Sequence, residues 1–171
     1  MATSKSDPSA ARAAFIAAMR SVAASVCVVT TNGTEGRRGA TVSAFCSVSA
    51  DPPTILVCLN AASQIAKVVA AHGVFNVNIL RTDQTDVANR FAGVDDAVVV
   101  DRFDGIACSA AVQPEITGAM VLCCHTANVV AAGSHQIFIA EVTDIKGEFA
   151  PPLAYLDGTF HALVPTPLKN R

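Results

Sequence analysis

Short apolar runs set off by turn residues make up most of this chain, and few are long enough or periodic enough for helix. Val26–Thr31 reads as a strand closed by the turn signal Asn32-Gly33 and a polar loop to Arg38. From Gly39 to Ala50 the apolar residues Val42, Phe45 and Val48 fall between the hydroxyls Thr41, Ser43, Ser47 and Ser49, as one long strand. Asp51-Pro52-Pro53 stops it, because proline removes a ladder donor and restricts the residue before it. The apolar run Ile55–Leu59, ending in Asn60, predicts a buried strand, and Val74–Leu80 alternates as another. Two long strands follow, Ala119–Ala132 and Gln136–Lys146, joined by Gly133-Ser134-His135, a gap short enough for a hairpin. Beyond Pro151-Pro152, Leu153–Tyr155 and Thr159–Val164 read as two last strands around Asp157-Gly158.

Helical spacing appears three times. Phe15, Met19 and Val22, with Ala11 and Ala18, predict an amphipathic helix over 9–21, with Asp7 as N-cap and Pro8 at the first helical position. Ile65, Val68 and Val69 share a face of a helix over 61–72, capped at Ser63 and stopped by Gly73. A short helix over 84–91, capped by Asp83, breaks at Ala92-Gly93. Residues 94–105 show no period. With no repeat and no linker, the pattern predicts one mainly β domain over 9–164, between tails at 1–8 and 165–171. An antiparallel barrel with a few flanking helices is its economical closure.

Composition narrows the setting. Of the 171 residues 51% are hydrophobic and 15% charged, against roughly 25% charged in ordinary domains. So little charge on a small domain predicts extra covered surface, from a second copy or a tightly held ligand. The net charge of −2, with no run of Lys or Arg, argues against nucleic acid and anionic membranes. No apolar run approaches the ~18 residues of a membrane span. The N-terminus lacks the charged-then-apolar layout of a signal peptide, so the chain is expected in the cytoplasm. The six cysteines form no Cys-x-x-Cys and most sit in apolar runs, where cysteine acts as a small hydrophobe; neither a zinc site nor a disulfide framework is expected.

Several nucleotide-binding and hydrolase devices are absent from the sequence, including the Gly-x-Gly-x-x-Gly fingerprint, the P-loop and the Gly-x-Ser-x-Gly elbow. What remains is a strand of small hydroxyls, which can hydrogen-bond a planar ligand held close to backbone, although Ser and Thr are also ordinary strand residues. Asn60 running into the helix capped at Ser63 offers free N–H groups and a positive dipole end, a place for a phosphate beside Ser47 and Ser49. The plain reading, that Ser63 only caps its helix, is compatible with this. Arg90-Phe91 can hold a diphosphate and stack an adenine, or simply be a surface cation beside a core aromatic. His135 at its turn and Tyr155, the one tyrosine, are candidates for ligand contact; His72 and His125 read as structural, and His161 stays open.

Thr41-x-Ser43, Ser47-x-Ser49, Pro52-Pro53 and the apolar strand to Asn60 together resemble the flavin reductase-like family. These are short-chain NAD(P)H:flavin oxidoreductases that serve two-component monooxygenases. The resemblance runs from about Phe15 to Val164, through Phe75–Leu80, Arg90–Gly93, Gly133–Phe138, Glu141-Val142, Pro152–Tyr155 and Phe160-His161. It implies an FMN-binding split barrel, a homodimer, and hydride transfer from NADH or NADPH to FAD or FMN, which then passes to a partner flavin-dependent monooxygenase. Hydride passes directly between the cofactors, so no catalytic side chain and no metal is expected. Thr41, Val42 and Ser43 would line the isoalloxazine; Ser47, Val48, Ser49, Asn60 and Ser63 the ribityl phosphate; Arg90 and Phe91 the distal flavin; His135 and Tyr155 the nicotinamide side. One position departs: Ser134 stands where the family often has Asp, which leaves His135 without a neighbouring acid. Two other readings keep the fold: a retained flavin that reduces another substrate such as a corrin or metal centre, and a flavin- or haem-binding protein without turnover.

Overall fold

The computed structural model describes residues 7–166, so the expected tails at 1–8 and 165–171 fall largely outside it. Asp7 caps the first helix and Pro8 opens it, as expected, so the helix takes in the last residues of the expected tail. The elements are α1 (Pro8–Arg20), β1 (Ala24–Ser25), β2 (Cys27–Gly33), β3 (Gly36–Val42), β4 (Phe45–Ala50), β5 (Pro53–Asn60) and α2 (Gln64–His72). They continue with β6 (Val74–Ile79), α3 (Thr85–Ala92), β7 (Met120–Ala132), β8 (His135–Lys146), β9 (Leu153–Leu156) and β10 (Thr159–Ala162).

The strands form a seven-stranded antiparallel sheet in the order β3-β2-β6-β7-β8-β5-β4 and a three-stranded one, β1-β9-β10. The predicted long strand over 39–50 is in fact two strands, β3 and β4, which sit at opposite edges of the large sheet. Only Ser43 and Ala44 join them, a link that spans at most ~11 Å of extended chain. The sheet must therefore roll until its two edges meet at this corner, where Ala44 accepts a hydrogen bond from the Cys58 N–H at 2.9 Å. Hydrogen-bonded strand pairs do not cross the corner, so the roll is split there. The polar stretch expected to be a loop up to Arg38 is instead the first half of β3, which starts right after a two-residue turn.

Alternation along β2 sorts the core into two layers. Cys27 and Val29 face the inside of the roll, with Val57, Phe75, Val77, Phe138 and the α2 residues Ile65, Ala66 and Val69. Val26 and Val28 face outward and are covered by α3, Phe103, Ile116 and Leu153. The outer layer is fastened by polar groups. Asn78 donates to Val28 O (2.9 Å) and Thr30 Oγ1 (3.0 Å) and accepts from the Ile116 N–H (2.8 Å), while Asn76 donates to the carbonyls of Gln113 and Pro114. Backbone bonds Val26 N–Leu153 O, Leu153 N–Leu80 O and Leu80 N–Val26 O tie the small sheet to the end of β6.

Capping chemistry sets the helices. Ser63 Oγ accepts from the Ala66 N–H, and Gly73, at φ +75°, ends α2 in the left-handed region. Asp83 does not cap α3: its carboxylate pairs with Arg81, and Gln84 takes the N-cap position without a side-chain bond. The apolar face of α1 remains uncovered, with Phe15 and Val22 mostly exposed; the helix is tethered by Arg20 to Asp157.

Candidate functional site

A groove of about 890 Å³ opens where the edge of β3 (Gly36–Ala40) meets the first turn of α2 (Ala62–Ile65) and the segment Val100–Phe103. Its walls follow from local structure. The β2–β3 hairpin begins with the pair Gly33↔Gly36 and runs in register to Cys27↔Val42. Antiparallel alternation then points the backbone N–H and C=O of Gly39 and Thr41 away from β2, toward the open edge. At α2, the Asn60 side chain accepts from the Ala62 N–H (2.9 Å), the Asn60 carbonyl from the Ser63 N–H (2.9 Å), and Ser63 Oγ from the Ala66 N–H (3.3 Å). The first-turn N–H groups of Gln64 and Ile65 are left over, and both residues line the groove.

Some of the residues expected from the sequence converge here. Asn60 and Ser63 form the lip, and His135 lies opposite Asn60 in the β5–β8 ladder. The Ala61 N–H donates to Ser134 O at 3.0 Å, so the Ser134-His135 turn touches the same lip. Ser134 Oγ lies 3.0 Å from His135 Nδ1, so a neutral hydroxyl is the imidazole's hydrogen-bond neighbour. Thr41 and Ser43 continue along the edge from the groove. The Thr41 hydroxyl donates to Ala88 O at 2.7 Å and docks α3, which leaves its backbone as the part open to a ligand. The Val42 side chain packs, partly buried, against the inner core.

Others do not converge. Ser47 lies opposite Ile55 and Ser49 opposite Thr54, at the far end of β5 and ~17–20 Å of strand from Asn60. Within one chain the expected phosphate site of Ser47, Val48 and Ser49 with Asn60 and Ser63 therefore does not assemble. Ser49 Oγ is bound into the turn at Asp51, to both its N–H and its carbonyl, and Val48 sits at a bulge. Phe91 is 1% exposed, edge-on to Phe103 with ring centroids 4.8 Å apart, so its ring is enclosed rather than presented to an adenine. Arg90 is occupied by Asp95 Oδ2 (3.0 Å) and the Asp104 carbonyl (2.7 Å). Tyr155 stands in the small sheet opposite Ala24 and Phe160. That sheet joins the large one at Leu80, near the Lys146 end of β8, ~36 Å of strand from His135.

Sequence reading missed the groove's cations, because Arg37 and Arg38 fell in a presumed loop and Arg102 in a stretch without period. Arg37 reaches Asp101 at 2.6 Å and lies over the Phe103 ring, 4.8 Å from its centroid. Arg102 grips Asp96 through two nitrogens and donates to Phe91 O at 2.9 Å. Arg38 donates to Arg37 O and has no carboxylate partner among the described residues. The Arg102 hydrogen bond holds the Asp96 carboxyl below its ordinary value. At Asp101 burial pulls upward, but the Phe103 N–H and Arg37 together outweigh it and the net shift is down. The arrangement offers backbone donors, a helix start and one uncompensated cation along a single trough. That donor set suits a flat, acceptor-rich ring system carrying phosphate.

Residues 19–164 match the family described as flavin reductase like domain. The chain is 36% identical to an FMN reductase (NADH) RutF of Ancylobacter novellus over 165 residues, 94% of this chain and 90% of the relative. It is 35% identical to the 4-hydroxyphenylacetate 3-monooxygenase reductase component of Pseudomonas aeruginosa, over 88% of this chain and 91% of the relative. Among solved structures it is similar to the NADH:FAD oxidoreductase SgcE6 of Streptomyces globisporus, in complex with NAD and FAD fragments. There the TM-score is 0.84 at 28% identity, over 93% of this chain and 96% of that one.

Proposed function

Because this chain belongs to the flavin reductase-like family, we propose that it is an NADH:flavin oxidoreductase that reduces FMN or FAD and passes it to a monooxygenase component. One observation supports locating the site: Gly36–Ala40 of β3 and Ala62–Ile65 line one groove, and Asn60 with the Ser134-His135 turn adjoins its lip. Bound flavin and nicotinamide would supply the hydride chemistry themselves. The protein's part is to hold and orient. The Thr41 N–H faces the edge where a ring would lie and can donate to negative charge that develops on it. Asn60 and Ser63 arrange the start of α2 so that free N–H groups face a phosphate. His135, steadied by Ser134, borders the nicotinamide.

The same reading includes a homodimer. Inside the roll β5 and β8 present Ile55, Val57, Phe138 and Ala140; the opposite face carries Leu56, Cys58, Ile137 and Ile139. Burial and the neighbouring Cys46 push the Cys58 thiol up, so it stays an uncharged, apolar group at neutral pH. A strand apolar on both faces is the signature of burial on both, and a second copy is the cover that the low charge calls for. Ser47, Val48, Ser49 and Tyr155, remote from the groove in one chain, would contribute to a flavin site only from such a copy.

The direct test is NADH oxidation by protein stripped of ligand, followed by nicotinamide absorbance with and without added FMN or FAD. Turnover that saturates with free flavin supports a reductase that treats flavin as a substrate. A protein that stays yellow and oxidises no NADH would overturn that reading in favour of a retained, non-catalytic flavin.

A further inference from the structure

The turn between β7 and β8 is built to hold one side chain still. Ala132↔His135 is the last pair of that ladder, so Gly133 and Ser134 form a two-residue turn. Gly133 takes a φ of +58° at the first central position, where such hairpins favour glycine, and Ser134 follows at the second. The Ser134 carbonyl is bonded outside the hairpin, where it accepts the Ala61 N–H at 3.0 Å. The Ser134 hydroxyl is used differently, and lies 3.0 Å from His135 Nδ1. His135 in turn stands opposite Asn60, whose side chain and carbonyl accept the Ala62 and Ser63 N–H groups at the start of α2. One exposed serine thus fastens both the imidazole beside it and the connection into α2.

We propose that Ser134 is a positioning residue for hydride transfer: it holds the His135 ring by Nδ1, so that Nε2 is the nitrogen that meets the nicotinamide carboxamide. The proposal rests on the reductase reading, with His135 bordering the nicotinamide. The hydrogen bond made by one ring nitrogen sets the role of the other. A hydroxyl can donate to Nδ1 or accept from it, so Ser134 supports either tautomer. Nε2 then donates to the carboxamide oxygen or accepts from its NH2 group, and in both cases the ring plane is fixed. A ring turning freely about its Cβ–Cγ bond would present its nitrogens and carbons by turns, and the carboxamide would lose an oriented partner. Orientation matters here because the reacting atoms must meet at about 3–3.5 Å. Ser134 touches neither cofactor and acts only through His135.

The test is a double-mutant cycle on Ser134→Ala and His135→Ala, with Ser134→Thr as the conservative variant. Ser134→Ala should raise the KM for NADH about fivefold, the size of one neutral hydrogen bond, and leave the KM for flavin alone. Ser134→Thr keeps the hydroxyl and should recover most of the loss. In the His135→Ala background, Ser134→Ala should change nothing further, since the group it acts through is gone. Equal losses in the two backgrounds, or an unchanged KM in Ser134→Ala, would overturn the proposal. Nitrogen-15 spectra of the His135 ring, recorded without substrate, separate this inference from the reductase reading. The Nδ1 and Nε2 signals should shift in Ser134→Ala and return in Ser134→Thr. Signals that stay in place while NADH is oxidised refute the positioning role and keep the reductase. Signals that shift in a protein that oxidises no NADH with added flavin refute the reductase reading, and with it nicotinamide as the ring's partner. The Tm of Ser134→Ala should match the wild type, because the side chain is exposed and the bond to Ala61 uses the carbonyl. A Tm lower by several degrees would assign Ser134 to the turn alone and overturn the proposal too.

Discussion

Asn78 makes three hydrogen bonds from one buried amide, two to β2 and one from the Ile116 N–H, and so joins two strands to the segment that covers them. Asn78→Ala leaves those groups buried and unpaired, a loss of roughly 1–3 kcal/mol, and should lower Tm by several degrees. A Tm within about a degree of the wild type would mean that water or a shift in the backbone replaces the amide. His135 has a functional counterpart to that role. If it borders nicotinamide, His135→Ala should raise the KM for NADH more than that for flavin; the opposite ordering would place it on the flavin. Gly39 shows what one residue type hides in a sequence. A Cβ there would come within 2.5 Å of the Phe91 ring, so its glycine reflects close packing of α3 on β3, which no local pattern around Gly39 announces.

Among the elements, α2 was the most legible, because its signals are local. Ser63 caps, Gly73 stops, and Ile65, Val68 and Val69 share the buried face, as their spacing required. The β3–β4 corner was not, because Ser43 and Ala44 carry no turn signature and hydroxyl alternation runs through them. The break comes from the closing of the sheet. The segment between α3 and β7 was illegible for a related reason: side-chain pairs hold residues 94–105, namely Arg90–Asp95, Arg102–Asp96 and Arg37–Asp101. Asp96 and Asp101 have folded values below the ordinary 3.8. Groups of that kind stabilise the fold fully above the ordinary value, and the contribution is lost as pH falls through the lowered one. Protection factors for amide exchange over 94–105, taken against the intrinsic rate at each pH, should therefore fall below about pH 4, ahead of those of β6 and β7. A simultaneous fall in loop and core would show that these pairs do not hold the segment independently.

At the scale of the whole molecule, the outward face of β5 and β8 is the feature that a single chain leaves unexplained. Ile137→Glu places a charge in the middle of that face without touching the inner core, where Phe138 points. Light scattering should report a dimer for the wild type and a monomer for the variant, with far-ultraviolet dichroism unchanged. A variant that stays dimeric would move the interface elsewhere, and the uncovered apolar face of α1, with Phe15 and Met19, is the next surface to test.

The sequence by itself determined the class of structure and the family. Strand and helix signals, capping residues and the order of the Thr41–Asn60 motif depend on neighbours along the chain, and the fold and the similarity to flavin reductases follow from them. Only the tertiary structure decided which candidates share a site. Asn60, Ser63 and His135 lie together because β5 pairs with β8 at the start of α2, and the β3–β4 corner closes on β5 through the Cys58 N–H to Ala44 carbonyl bond. Ser47, Ser49 and Tyr155 stay apart because a strand carries its residues ~3.3 Å further from the start of α2 at every step. Arg37, Arg38 and Arg102 come to line one groove for the same reason. Distance along the chain says nothing of distance across a sheet, and closing the roll sets the second.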